Sequence, residues 1–318
     1  MAIAHEGPTI SDRTLRRLVK WTAIGLAVLL VVFSVVYYLG QHRSSGPSLT
    51  ERQVATAEQA VKDTPNNLDA RLTLAAAYRD NKQYPEALVQ YDELLRIGPG
   101  NRNSLVGKGE TLMAMGDLDT AKTTLTSVVK AKMTWAYEAQ DPQLQKAFYD
   151  LGAISVTQKN WTQAEEYLQQ ALSIDQTDAD AFYQLGLAQL GSGDAKAAVA
   201  SLRQAVLFVP TGWCEPFQQL AAAYTKLGQA DSSTYSSAMA DNCAGSTDKA
   251  KTELTGLTSS TDAAVKTDAM LGLAEIAETA NDNAAATSWY RQVLKARPDD
   301  FTAKSGLDRL TTAANGSK

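Results

Sequence analysis

The chain repeats a pattern of small and large apolar residues about every 34 positions, and this recurrence limits what it can fold into. Residues 178–210, DADAFYQLGLAQLGSGDAKAAVASLRQAVLFVP, show one unit. Apolar residues recur at helical spacing in two segments, Gly193 and Asp194 separate these segments, and Pro210 closes the unit. A hairpin of two such helices cannot bury its apolar face alone, so the sequence predicts that successive hairpins stack on one another.

Six units carry the pattern between residues 68 and 300. Most of them share a large residue followed by a small one in the first helix, and an alanine followed by a large residue in the second. The small residue is needed because the two helices cross closely at that point. Representative positions are Leu74, Ala75, Ala87, Tyr91, Gly109, Ala121, Leu125, Leu151, Gly152, Ala164, Leu168, Leu185, Gly186, Ala198, Leu202, Leu220, Ala221, Leu273, Ala274, Ala286, Tyr290 and Pro298.

These residues resemble the tetratricopeptide repeat family, whose unit is a helical hairpin of about 34 residues. The resemblance implies an all-α, right-handed superhelical solenoid of hairpins. One transmembrane helix, formed by the hydrophobic N-terminal segment described below, is expected to precede this solenoid. The pattern predicts repeats 1–2 at 68–132, repeats 3–5 at 145–245 and repeat 6 at 267–300, with insertions at 133–144 and 246–266. Capping helices are expected at 49–67 and, with the tail, at 301–318, because a stacked array must cover its apolar ends.

The fifth unit departs from the pattern. Ser233 and Ser237 stand where an alanine and an aromatic residue are expected. The following insertion could contain an extra helix over KAKTELTGL.

The segment WTAIGLAVLLVVFSVVYYL near the N-terminus carries no charge over residues 21–39. A helix of this length covers roughly 28 Å, about one hydrocarbon core, and aromatic residues stand at both ends of it. A cleaved signal peptide is disfavoured because bulky residues follow the segment where small ones are required. We therefore predict a cytoplasmic tail at 1–20, a transmembrane signal anchor at 21–40 and a linker at 41–48.

The distribution of basic residues sets the expected orientation. Arg13, Arg16, Arg17 and Lys20 precede the apolar segment, whereas only Arg43 follows it closely. This asymmetry places the N-terminus in the cytoplasm. The chain is thus expected in the cytoplasmic membrane as a single-pass protein, with the repeat domain extracytoplasmic, in a periplasmic or extracellular space.

The two cysteines fall at the start and end of the fifth unit. Cys214 is expected at the start of its first helix and Cys243 at the end of its second, and these ends are neighbours in an antiparallel hairpin. An oxidising compartment outside the membrane would favour a disulfide between them. Two free thiols, buried as small apolar groups, are the alternative.

The composition argues against several classes of function. The formal charge is −5, so a basic face for nucleic acid is not expected. Two histidines and two cysteines, scattered along the chain, do not make a metal site. The stretch GPGNRNSLVGKGE has the wrong spacing for a phosphate loop and coincides with a repeat helix. We therefore expect no catalytic residues, no cofactor, no metal and no enzymatic activity.

The family resemblance implies that the first helices of the repeats line a concave groove for peptides or helices of partner proteins. The centre of the groove is expected to be apolar and partly aromatic, with few charges, and to suit an amphipathic helix or an extended apolar segment. Gln218, Thr225 and Glu275 would extend it towards the C-terminus. Its expected lining is Leu72, Val106, Met113, Tyr149, Val156, Tyr183, Leu187 and Leu190. The alternative is that some of these residues pack against neighbouring repeats.

The hypothesis drawn from the sequence is a non-enzymatic, membrane-anchored scaffold or adaptor. It would bind partner proteins at the outer face of the membrane, during assembly or secretion of envelope or membrane complexes. The alternative is a permanent structural subunit of a larger membrane protein complex.

Overall fold

The computed structural model describes residues 12–41, 46–130, 140–208 and 212–316. The predicted tail at 1–20, linker at 41–48, insertion at 133–144 and final tail lie partly outside these residues. Every regular element in the described part of the chain is helical, and sixteen α-helices are found there. The prediction of an all-α solenoid of hairpins is confirmed.

The chain divides into two compact units, residues 1–56 and 57–318. The first unit contains α1 (Asp12–Gln41) and the beginning of α2 (Leu49–Asp63). Within α1, residues Lys20–Tyr38 are long and apolar enough to cross a membrane, with a mean hydropathy of 2.1. Side chains along this stretch, such as Trp21, Leu29 and Phe33, are exposed in the structure.

The second unit contains the repeats, in which each helix packs against the next one along the chain. Its helices are α3 (Leu68–Asp80), α4 (Tyr84–Ile97), α5 (Arg102–Met115), α6 (Leu118–Lys130), α7 (Pro142–Thr157), α8 (Trp161–Ile174), α9 (Ala179–Ser192), α10 (Ala195–Phe208), α11 (Glu215–Lys226), α12 (Ala230–Cys243), α13 (Thr247–Leu257), α14 (Ala263–Thr279), α15 (Asn283–Ala296) and α16 (Phe301–Gly316).

Residues with short polar side chains cap the N-termini of several of these helices. The carboxylates of Asp141, Asp178 and Asp262 accept hydrogen bonds from free backbone N–H groups in the first turns of α7, α9 and α14. Gly116 and Gly193 end α5 and α9 in the left-handed conformation that glycine adopts without strain. The turns are therefore specified locally, and the hairpins follow from them.

The core between the helices is made of alanine and leucine at the repeated positions. Ala121, Leu125, Ala164 and Leu168 are fully buried. The glycines of the first helices explain how closely the helices approach: a Cβ on Gly109 would lie 2.6 Å from Leu125, and one on Gly152 would lie 2.5 Å from Leu168. Gly109 lies in the stretch GPGNRNSLVGKGE, and its role there is close helix packing and not phosphate binding.

Candidate functional site

The first helices of the N-terminal repeats form one continuous surface. Helix α5 contacts α3 and α7, and α9 contacts α7 and α11, in addition to the contacts within each hairpin. We call the face of α3, α5, α7, α9 and α11 along which these helices meet the inner face. This arrangement brings side chains from five separate repeats to one surface, where a partner segment could contact several of them at once.

A network of charged side chains crosses the inner face at its N-terminal end. The Glu110 carboxylate on α5 accepts a hydrogen bond from the Arg79 guanidinium on α3, and its other oxygen lies 2.6 Å from the Lys146 ammonium on α7. These bonds join three consecutive repeats. The expectation of few charges concerns the centre of the groove, whereas opposite charges from neighbouring repeats meet at this end.

Asp150 extends this network into the protein interior. Only 4% of Asp150 is exposed, and its Oδ2 has no hydrogen-bond partner. Burial raises the pKa of Asp150 to about 7, although the charge of Lys146 works in the opposite direction. Burial works to lower the pKa of Lys146, but Asp150 and Glu110 raise it on balance. The carboxyl group of Asp150 is thus poised to change protonation near neutral pH.

Aromatic and apolar side chains follow the charged network towards α11. Tyr149 packs with Val156 against the core between α8 and α9, and burial raises its pKa to about 12. Tyr183 lies edge-on to Trp213, with 5.0 Å between the ring centroids. Tyr183 and Leu190 also pack against the core around Leu202 and Phe217.

The predicted groove residues differ in how much of each side chain is exposed. Leu72, Met113, Tyr149, Val156, Tyr183, Leu187 and Leu190 are half-buried, so part of each side chain remains accessible. Val106 is only 2% exposed and belongs to the core with Leu144 and Ala147 of α7. Its assignment to the groove is wrong, because its short branched side chain stays between α5 and α7.

Cys214 and Cys243 form a disulfide in the structure, with their Cα atoms 5.5 Å apart. Cys214 lies just before α11 and Cys243 is the last residue of α12. The bond closes the hairpin made by these two helices.

Comparisons with known proteins agree with this architecture. Models of the tetratricopeptide repeat match residues 54–102, 106–182 and 244–301, and a second model of the same repeat matches residues 179–208. These matches cover more than half of the sequence. The chain belongs to the tetratricopeptide repeat family.

Individual relatives are more distant. The general transcriptional corepressor ssn6 of Schizosaccharomyces pombe is 25% identical over 125 residues, which is 39% of this chain and 11% of the corepressor. The matched region therefore spans about a tenth of that relative's length.

The similarity to solved structures shows the fold. PilW, described as a widely conserved type IV pilus biogenesis factor, has a TM-score of 0.54 and 18% identity, over 72% of this chain and 98% of PilW. A fragment of MamA from Desulfovibrio magneticus RS-1 has a TM-score of 0.50 and 21% identity, over 57% of this chain and 98% of the fragment.

Proposed function

We propose that this protein is a non-enzymatic, membrane-anchored scaffold that binds partner proteins through its inner face on the extracytoplasmic side of the membrane. The tetratricopeptide repeat fold is a protein-interaction fold, and the inner face is the surface on which side chains from five repeats converge. That convergence is the observation that carries the proposal. The role we assign to the scaffold is the assembly or secretion of envelope or membrane complexes.

The chemistry of the inner face favours a partner segment with one polar end and one apolar end. Arg79, Glu110 and Lys146 would contact charged or polar groups, and Tyr183, Leu187 and Leu190 would contact apolar side chains. An amphipathic helix lying across α3 to α11 would satisfy both regions.

Two features support the membrane anchor and its orientation. The apolar stretch Lys20–Tyr38 has the length of one membrane span, and the basic residues lie mainly before it. The disulfide suits an oxidising compartment outside the cytoplasm. The likeness to PilW supports the fold alone, and pilus assembly is one of several envelope processes that the proposal includes.

Photo-crosslinking in intact membranes tests the partner surface. A photoreactive residue at Leu187 on the inner face should give specific protein adducts, whereas the same residue at exposed Gln204 on α10 should not. Equal adduct patterns at both positions would contradict binding through the inner face. A partner that stays bound at fixed stoichiometry through detergent extraction would favour the structural-subunit alternative over a transient scaffold.

Fractionation and protease treatment test the anchor. The protein should stay with membranes after alkaline carbonate extraction, and the repeats should be digested when the protease is applied only to the extracytoplasmic side. Repeats that are digested only after lysis would contradict the proposed orientation.

A further inference from the structure

The register of the repeats changes at α12. From α3 to α11 it is the odd-numbered helices that contact one another along the inner face, whereas further along the chain α12 contacts α14. The sequence shows the same change. Ala238, Ala250 and Leu254 are buried and have the same spacing as Gly186, Ala198 and Leu202 in the fourth repeat. Helix α12 therefore closes the hairpin with α11 and also opens a new hairpin with α13.

After this change of register, an ion pair lies on the surface that corresponds to the inner face of the earlier repeats. Glu278 on α14 accepts hydrogen bonds of 2.8 and 2.9 Å from the Arg309 guanidinium on α16. The two residues are 31 positions apart, as are Arg79 and Glu110, with the charges exchanged. Because equivalent positions pair in the same way, α12, α14 and α16 present a second inner face.

A cavity of about 570 Å³ lies on this second inner face. This volume is within the range of sites that bind ligands or side chains. Met239, Asn242 and Cys243 of α12 precede Glu275, Glu278 and Thr279 of α14 by one constant interval, and all six line the cavity. Its remaining walls are Gly212, Phe217, Thr302 and Arg309.

Two carboxylates line this cavity, and they differ in their partners. Glu278 is neutralised by Arg309 and also accepts a hydrogen bond of 2.5 Å from the Tyr290 hydroxyl. Glu275 has no hydrogen bond or ion pair from its side chain within the described part of the chain. Burial and the charge of Glu278 together raise the pKa of Glu275 to about 7, although the charge of Arg309 works in the opposite direction.

The geometry points to a second binding site, in which the cavity between α12, α14 and α16 takes a lysine or arginine side chain from a segment of a partner protein. Phe217 and Met239 offer apolar contact for the aliphatic part of such a side chain, and Glu275 accepts hydrogen bonds from its charged end. Asn242, Thr279 and Thr302 supply further polar groups at the walls.

The same walls disfavour other occupants. An anion would face the carboxylate of Glu275, because the nearby guanidinium of Arg309 is already paired with Glu278. A divalent metal ion requires several oxygen or nitrogen ligands, and the described residues contain no group of three or more histidine, cysteine, aspartate or glutamate side chains arranged to hold one. That the occupant belongs to a protein rests on the proposed scaffold function. The site itself is separate from the first inner face.

Peptide binding to the full-length protein in detergent tests this site. The probe is a short capped peptide with a central lysine between leucines, labelled for fluorescence polarisation, and its control carries norleucine in place of lysine. The wild-type protein should bind the lysine peptide more tightly. Glu275→Gln should weaken binding of the lysine peptide by roughly tenfold or more, because a charge-assisted hydrogen bond is lost, and should leave the norleucine peptide unchanged.

Two further variants locate the bound peptide. Met239→Trp fills the cavity and should abolish binding of the lysine peptide, whereas Leu187→Trp on the first inner face should leave it unchanged. Equal affinity of both peptides for the wild type, full affinity of the lysine peptide for Glu275→Gln, or full affinity for Met239→Trp would each overturn the proposal. Crosslinking from Leu187 reports on the first inner face separately, so the two proposals can fail independently.

Discussion

Gly186 of α9 and Leu202 of α10 approach so closely that a Cβ on the glycine would lie 2.6 Å from the leucine Cγ. Gly109 and Gly152 have the same relationship to Leu125 and Leu168. The glycine is thus a requirement of the hairpin, since any larger residue must push the two helices apart.

Gly186→Ala should destabilise the protein by roughly 1–3 kcal/mol, because overpacking outweighs the gain in helix propensity. Gly256→Ala is the matched control, since no atom lies within 4 Å of a Cβ at that position in α13. It should be neutral or stabilise by up to about 1 kcal/mol. Denaturant unfolding of the full-length protein measures both, and an equal response would show that Gly186 is not under packing constraint.

The buried carboxyl group of Asp150 should make stability depend on pH. Its folded-state pKa of about 7 lies above its ordinary value of 3.8, so protonation favours the folded protein. This contribution is complete below about pH 4 and is lost as the pH rises through about 7.

Asp150→Asn should therefore stabilise the protein at about pH 8, by roughly 1–3 kcal/mol, and have little effect at about pH 4. Thermal unfolding at the two pH values measures the difference. Some pH dependence should remain in this variant, because the pKa of Glu275 is also raised to about 7. A slope identical to that of the wild type would contradict the assignment to Asp150.

Glu110 should be more important for stability than an ordinary surface glutamate. Glu110→Gln removes the carboxylate that Arg79 and Lys146 share, although Arg79 keeps its ion pair with Asp80, and we expect a loss of roughly 1–3 kcal/mol. Glu93→Gln is the control, because the ion pair of Glu93 is with the exposed Arg96 one turn away on the same helix, and it should leave the unfolding midpoint unchanged. If the two variants unfold together, the network between repeats does not stabilise the array.

Replacing both cysteines by serine should lower stability. The disulfide closes a loop of about 30 residues, and its loss should cost roughly 3 kcal/mol on the chain-entropy account. Thermal unfolding with and without reductant should show the same loss in the wild type and no effect of reductant in the Cys214→Ser, Cys243→Ser variant. A reductant-insensitive wild type would show that the bond is absent from the protein as isolated.

Much of the fold could be predicted because a small residue recurs in the sequence at each position where two helices pack closely. The change of register at α12 was harder to see, since Ser233 and Ser237 make the fifth unit appear degenerate. The spacing of Ala238, Ala250 and Leu254 was the signal that could have revealed it. Ser233 is tolerated because it makes hydrogen bonds to Thr225 and to the Ala221 carbonyl.

The inner face was predicted less completely than the fold. Helical spacing gives the direction of a side chain but not its depth, so it predicts Val106 in the groove although this residue is buried. Arg79 and Glu110 each resemble a solvated surface charge when taken alone. Their contact depends on how consecutive repeats stack. It can be predicted only when the positions of Arg79 and Glu110 within their own repeats are compared.

The disulfide has a further consequence because of where it lies. Cys214 and Cys243 enclose the whole of α11 and nearly all of α12, the segment at which the register changes. A proteolytic nick anywhere between these two cysteines would leave the chain on either side covalently joined. In a compartment rich in proteases, the protein would keep its two ends tethered after a cut that would otherwise sever it.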